Sequence, residues 1–321
     1  MTASFALQQH MPKASRLVCG AMTIGHPADT TPALIDEAAA LIDTALESGI
    51  TVFDHADIYN AGGAEAAFGA ALGRSPSVRD DIVIQSKCGI RFEDTNGPTR
   101  YDWSHDWITH SVDGSLKRLQ TDFLDVLLLH RPDPLMQPDE VAEAFDTLHR
   151  AGKVRHFGVS NLNHAQIAYL QRSLGRPLIA NQLQMSLLHS HWVDEVVTEN
   201  NEQRHANLFS TGTIEYCRDS GVQLQAWGSL CQGILTGRNT DEQSVAVQHT
   251  AQLVSVLALK YDVSVEAIVL GWLLRHPANI QPVIGTKHPE RIKACAEATT
   301  FALAHEDWWA LYVSARGQRV P

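Results

Sequence analysis

Residues 50–59 read ITVFDHADIY, and the fold is decided by where that stretch changes character. Ile50, Thr51, Val52 and Phe53 form a short apolar run rich in β-branched side chains, the composition of a buried strand. Asp54 ends the run with a carboxylate. Tyr59 follows five residues later, just past Asp57, where the chain leaves the strand. An acid and a phenol at the mouth of a strand add little to a core, but they suit a site.

Seven similar runs lie along the chain: RLVCGAM (16–22), DIVIQSK (81–87), DFLDVLLLH (122–130), VRHFGVS (154–160), LIANQLQ (178–184), VQLQAW (222–227) and IQPVIG (280–285). The segments between them have helical spacing. One covers 35–49 and ends in Gly49, which suits a left-handed cap. Ser104 is placed to cap a helix reaching Leu119, and 138–153 carries an apolar stripe of Val141, Ala144, Phe145 and Leu148. Further helices are expected over 163–174, 246–261 and 264–276. Eight strands alternating with helices predict a parallel sheet, and eight is the number that closes a (β/α)8 TIM barrel. A doubly wound open sheet is the competitor. No G-x-G-x-x-G follows any strand, and Gly62–Gly63 belongs to no such pattern. The expectation is an α/β chain forming a single barrel domain over residues 1–321. Long polar loops are expected at 88–103 and 186–212, and an extended segment at 231–263. In a barrel all three rise from the C-terminal face, where active sites lie.

Composition narrows the partners. The 321 residues are 44% hydrophobic and 19% charged, as in globular proteins, and the net charge of -11 argues against nucleic acid. The five cysteines are scattered without a CxxC pair, a pattern of reduced, buried thiols. The N-terminal residues lack the apolar core of a signal peptide, and no run approaches the roughly 18 apolar residues of a membrane span. A cytoplasmic protein is expected, with a small-molecule partner and no membrane contact; the oligomeric state is not legible.

If the strands end where the runs do, their C-terminal ends are Asp54, Lys87, His130, the Ser160–Asn161 pair, Gln182, Trp227 and the Gly285–Thr286 pair. Strand after strand ends in a functional group. A free phenol has a pKa of about 10, and the Lys87 ammonium beside Tyr59 is expected to lower it. Asp54 can hold Lys87 charged, and His130 can orient a carbonyl oxygen by a hydrogen bond. Such a set suits proton delivery to an oxyanion forming on a carbonyl carbon.

Asp54, Tyr59, Lys87 and His130 stand in the order and spacing of the aldo-keto reductase tetrad, and the chain resembles that superfamily over nearly its full length. FDHADIYNAGGAEAAFGAAL, LLLHRPDP, GKVRHFGVSN, WGSLCQGILTG and PVIGTKHPERI carry the resemblance. It implies a barrel that binds NADP(H) without a Rossmann unit and reduces an aldehyde or ketone, with hydride from the nicotinamide C4. Tyr59 would be the general acid, assisted by Lys87 and His130, with Asp54 supporting Lys87. Asn161 and Gln182 would hold the nicotinamide carboxamide, and Trp227 would stack on the ring. Gly228, Ser229 and Leu230 would line the pyrophosphate. Thr286, Lys287 and Arg291 would surround the 2′-phosphate, and Thr23 would touch cofactor or substrate. Ser160 and Gly285 complete the implied cofactor-binding set. Ala294 and Cys295 stand where relatives commonly carry Glu and Asn near the adenine.

Other readings are weaker. His189 and His191 form an H-x-H, but Lys87 and Asn161 occupy the strand ends where a barrel hydrolase needs further metal ligands, so no metal is expected. Some relatives keep fold and cofactor yet act as regulatory binding partners, and the intact tetrad favours an enzyme over that role. Tyr101, Trp103 and Trp192 are either pocket walls or loop anchors. Cys88, beside Lys87, is the one thiol placed to sense oxidation.

Overall fold

All eight apolar runs form strands, which pair in parallel. The computed structural model describes residues 5–27 and 30–321; the readings that extend onto residues 1–4 and 28–29 lie outside the described residues. The strands are β1 (Val18–Gly20), β2 (Val52–Asp54), β3 (Val83–Cys88), β4 (Leu124–Leu129), β5 (Val154–Ser160), β6 (Leu178–Gln184), β7 (Gln223–Trp227) and β8 (Gln281–Ile284). Each pairs with its sequence neighbour, and β8 pairs with β1 to close the barrel. The crossover helices are α1 (Pro32–Glu47), α2 (Gly63–Leu72), α3 (His105–Leu119), α4 (Pro138–Arg150), α5 (His164–Gln171), α6 (Thr213–Asp219), α7 (Val265–Leu274) and α8 (Pro289–Ala296).

Strand alternation divides the core in two. Cys19, Phe53, Ile84, Leu127, Leu129, Phe157 and Val159 face outward and pack under the helices. Val18, Val52, Val83, Val126, Leu128 and Val283 belong to a separate inner cluster. Phe5, Leu7 and Met11 join that inner cluster from the N-terminal segment, which closes the lower end of the barrel.

Helix ends follow the expected local chemistry. The Ser104 side chain accepts from Trp107 N at the start of α3, Asn163 forms a capping box with Gln166 at α5, and Ser264 caps α7. Past the end of α1, Gly49 adopts φ +73°, a conformation that costs glycine little.

The polar loops carry more order than their composition suggests. Residues 88–103 contain an antiparallel hairpin, Ile90–Arg91 with Arg100–Tyr101. Residues 186–212 contain a helix, His191–Val197, and a 3-10 turn, Glu202–Ala206. The second loop is tied to the C-terminal helix His305–Arg316: Tyr312 Oη donates to Asp194 Oδ1 at 2.6 Å and Arg316 Nε to the same oxygen at 3.1 Å. Trp103 and Trp192 are each 1% exposed and act as anchors, Trp192 packing between Trp272 and His276. Tyr101 remains exposed. Among the described residues, no helix is long and apolar enough to cross a membrane.

The approach of α2 to α3 depends on a missing side chain. A Cβ on Gly69 would lie 2.2 Å from the Arg118 carbonyl oxygen, a backbone atom that cannot yield locally. Gly69→Ala is therefore expected to destabilise the fold by about 1–3 kcal/mol. Thermal or urea unfolding measures it; unchanged stability would show that the two helices separate freely.

Candidate active site

Lys87 lies two residues beyond Gln85 on β3, so both side chains point into the barrel. The Lys87 ammonium has three hydrogens and three acceptors. Nζ lies 2.6 Å from Asp54 Oδ2, 2.9 Å from the His55 carbonyl and 3.0 Å from Tyr59 Oη. Because Lys87 donates to the phenol oxygen, the hydrogen on Tyr59 remains free to point elsewhere. Lys87 and Asp54 side chains are 0% and 3% exposed, so the pair is held out of water. Burial pulls Lys87 down, but Asp54 and Tyr59 outweigh it and the net shift is upward.

Tyr59 starts a 3-10 turn whose next two residues, Asn60 and Ala61, both have φ 50°. This is an uncommon conformation for alanine, and the turn returns the phenol over the strand end. Asn60 fixes the turn by donating to the Ile24 carbonyl at 2.7 Å. Lys87 lowers the Tyr59 pKa as expected, but burial is the larger effect. Burial raises it, Lys87 lowers it and Asp54 raises it, and the net shift is upward. A raised phenol stays protonated at neutral pH, which suits a proton donor.

His130 follows β4 directly, with its ring edge-on to Tyr59 at 6.0 Å between centroids. Burial, Lys87 and then Arg131 push its pKa down to about 3, so the imidazole is neutral. Its Nδ1 is buried without a hydrogen bond among the described residues. His55 is also buried and pushed down to about 3, its ring against Phe68.

The other expected site residues divide into exposed and engaged groups. Ser160 ends β5 as expected, and Asn161 follows it with φ 63°. The Asn161 amide nitrogen donates to the His130 carbonyl at 3.1 Å and Ser160 Oγ at 2.8 Å, and its oxygen accepts from Trp227 Nε1 at 3.1 Å. Gln182 is not the end of its strand: β6 runs on to Gln184. Its side chain therefore sits deeper, donating to Asp54 Oδ1 at 3.1 Å and Gln225 Oε1 at 3.2 Å. Both hydrogens of its nitrogen are thereby engaged inside the barrel.

Trp227 ends β7, half-buried, with the Arg131 guanidinium 5.6 Å from its ring centroid. Gly228 turns the chain with φ 70°, Ser229 is buried with Oγ donating to the Val283 carbonyl at 2.7 Å, and Leu230 is buried. Gly285 is exposed and Thr286 buried just past β8; Thr23 is exposed in the loop after β1. Lys287 pairs with Glu37 at 2.7 Å, while Arg291 pairs with Glu266 at 3.1 Å and donates to Thr236 Oγ1 at 2.8 Å. Cys295 is fully buried and the Ala294 carbonyl accepts from Ser264, so neither offers a polar side chain outward.

The reading of Cys88 changes. Cys88 is 1% exposed, and burial with Asp57 and Glu65 holds its thiol well above the ordinary value, an environment that disfavours the reactive thiolate. His189 and His191 turn to Ser186 and Asp194 respectively, and among the described residues no three potential metal-binding side chains gather. A cleft of about 340 Å³ opens between the 90–101 hairpin, α3 and the Asp57 turn; Tyr59, Lys87 and His130 do not line it. Sequence reasoning missed Gln85, Gln225 and Arg131. The first two were visible as lone amides inside apolar runs, and Arg131 as the neighbour of His130.

The sequence model of the Aldo/keto reductase family matches residues 16–312. A 6-dehydroglucose reductase of Agrobacterium fabrum is 36% identical over 310 residues, spanning 95% of this chain and 96% of that protein. An Escherichia coli oxidoreductase is 39% identical over 287 residues, 88% of each. The structure of a Klebsiella pneumoniae aldo/keto reductase, in complex with NADP and acetate, superposes with a TM-score of 0.72. It is 24% identical and covers 96% of this chain and 93% of that one, a likeness of fold. With nearly the whole chain matched, this protein belongs to the Aldo/keto reductase family.

Proposed function

We propose that this protein reduces an aldehyde or ketone to the alcohol with NADPH, as a single-domain cytoplasmic enzyme, with Tyr59 as proton donor. The observation that carries the reading is the contact of Lys87 Nζ with both Asp54 and Tyr59 inside a closed barrel. The residues present fit the cofactor. Gly228 and Gly285 face open space where a Cβ would meet nothing within 4 Å, Trp227 offers a half-buried indole, and Lys287 and Arg291 supply cations beyond β8. Trp227, Asn161 and Gln182 would hold the nicotinamide end, the Gly228–Ser229–Leu230 loop the pyrophosphate, and Thr286, Lys287 and Arg291 the 2′-phosphate. NADPH, when bound, supplies the hydride from its nicotinamide C4.

The chain's own residues supply the rest. Neutral His130 donates a hydrogen bond to the substrate oxygen and orients it toward Tyr59. Tyr59 releases its proton to that oxygen as charge develops, and Lys87 stabilises the phenolate left behind. Asp54 keeps the ammonium charged in a site that would otherwise favour the neutral amine. Arg131, over Trp227, draws Tyr59 and His130 in the same electrostatic direction as Lys87. The five free, buried thiols support a reducing compartment. The 36% identity to a 6-dehydroglucose reductase makes sugar aldehydes the first class to assay.

Tyr59→Phe should lower turnover by about 10²–10⁴-fold while NADPH binding, followed by fluorescence titration, stays nearly unchanged. Full activity in that variant would remove Tyr59 from the chemistry. Lys287→Ala should weaken NADPH about tenfold and NADH little, because only the former presents a phosphate to the ammonium; equal losses would place Lys287 elsewhere.

His130 should remain neutral from pH 5 to 8, with no NMR titration near 6.5. A midpoint there would contradict its burial. The unfolded chain takes up protons at His55 and His130 near pH 6.5 that the folded protein refuses until about 3. Their contribution to stability is therefore lost as pH falls through that window. Urea unfolding at pH 7.5 and 5.0 reads the difference, and His55→Asn should reduce it.

A further inference from the structure

The middle of the barrel is filled with amides. Gln85, Gln182, Gln225 and Gln281 come from four different strands, and none is more than 2% exposed. Strand register brings them together. Asp54 lies opposite Gln85 across β2 and β3, while Gln182, Gln225 and Gln281 line up across β6, β7 and β8.

Their hydrogen bonds form one continuous net. Gln85 Nε2 donates to Asp54 Oδ1 at 2.6 Å and to Gln225 Oε1 at 2.9 Å. Gln182 Nε2 donates to the same two oxygens. Gln225 Nε2 returns a bond to Gln85 Oε1 at 3.1 Å and passes another to Gln281 Oε1 at 3.0 Å. Gln281 Nε2 ends the net on the Ser15 carbonyl at 2.6 Å.

Barrel interiors are normally packed with branched aliphatic side chains, which carry no polar atoms to satisfy. This net therefore has a cost that packing alone does not explain. It also has a fixed sense. A carboxylate only accepts, so the nitrogens of Gln85 and Gln182 must face Asp54. Gln225 Oε1 takes the second hydrogen of each and fixes both amide planes. Asp54 Oδ1 is thereby committed to two N–H donors, and Oδ2 is left to Lys87. Turning either amide over would set its oxygen against the carboxylate.

We propose that Gln85 and Gln225 are positioning residues for proton transfer: by holding Asp54 in one rotation they keep Oδ2 on the Lys87 ammonium, and so keep that ammonium on Tyr59. The proposal rests on Tyr59 being the proton donor. Neither glutamine touches Tyr59 or His130, so each acts through Asp54. Without the net, Asp54 turns, and the buried ammonium loses the contact that offsets its desolvation. The ammonium–phenol pair then gives up its proton at lower pH.

The test compares Gln85→Leu, Gln225→Leu and Gln225→Glu with the unaltered enzyme, using NADPH and 4-nitrobenzaldehyde. Gln225→Glu keeps the side-chain shape. It sets a carboxylate oxygen against Gln85 Oε1 and Gln281 Oε1, so the amides must turn. In variants that fold, kcat should fall about tenfold or more while the NADPH Kd and the aldehyde KM change less than twofold. The alkaline limb of the rate profile should move down by about one pH unit. A fall in kcat with an unmoved limb, or no change at all, reduces the glutamines to core packing and overturns the proposal. If no variant folds, the unaltered protein decides. Slowly exchanging, distinct side-chain amide protons on Gln85 and Gln225 support the net, and averaged, rapidly exchanging ones overturn it. Undiminished activity in Tyr59→Phe would instead defeat the parent reading, whatever the glutamine variants show.

Discussion

The contact between Lys87 and Asp54 is the constraint on which this architecture turns. An ammonium and a carboxylate lie 2.6 Å apart with almost no access to water. Removing two charges from water costs several kcal/mol each, and their attraction offsets that only when the remaining hydrogen-bonding capacity is also met. Here it is met on both sides. The ammonium spends its other hydrogens on the His55 carbonyl and Tyr59, and the carboxylate receives two amide donors on its second oxygen. His55 and Tyr59 belong to the same stretch as Asp54, but Lys87 and the two amides come from β3 and β6, so the pair is satisfied only when those strands are assembled.

A parallel barrel is suited to this. Each strand delivers one inward side chain per layer, and register decides which layers coincide. The lowest layer is apolar and sealed by the N-terminal segment, the middle is amide, and the upper layer carries the titratable groups. Loops around the mouth are held by aromatic anchors and by the tie between Asp194 and the C-terminal helix. The site is thus assembled on rigid strand ends, with one left-handed turn bringing Tyr59 over them.

Much of this is legible from local pattern. The eight runs, their intervening helices and the caps at Ser104, Asn163 and Ser264 depend on near neighbours alone. Asp54, Lys87 and His130 were recognisable because a polar residue closing an apolar strand has few structural uses. Gln182 was misread for the same reason. Its apolar run extends to Gln184, and in the barrel burial continues to Leu183 and pairing to Gln184, which sets Gln182 one layer below the strand end. The order inside 88–103 and 186–212 was hidden because polar composition does not reveal that Trp103 and Trp192 are buried.

What the amino-acid sequence alone determined was the alternation of strand and helix, the closure at eight strands, and the placing of Asp54, Lys87 and His130 at successive strand ends. These follow from periodicity and spacing, which are properties of the linear chain. Only the tertiary structure decided how those groups interact. Desolvation raises the Tyr59 phenol despite the adjacent ammonium and keeps His130 neutral, while the packing of the elements sets Lys287 against Glu37 and Arg291 against Glu266. Strand register also joins Gln85 and Gln225, 140 residues apart, in one net that ends on the Asp54 carboxylate. Burial and register are properties of the closed barrel, and no stretch of sequence contains them.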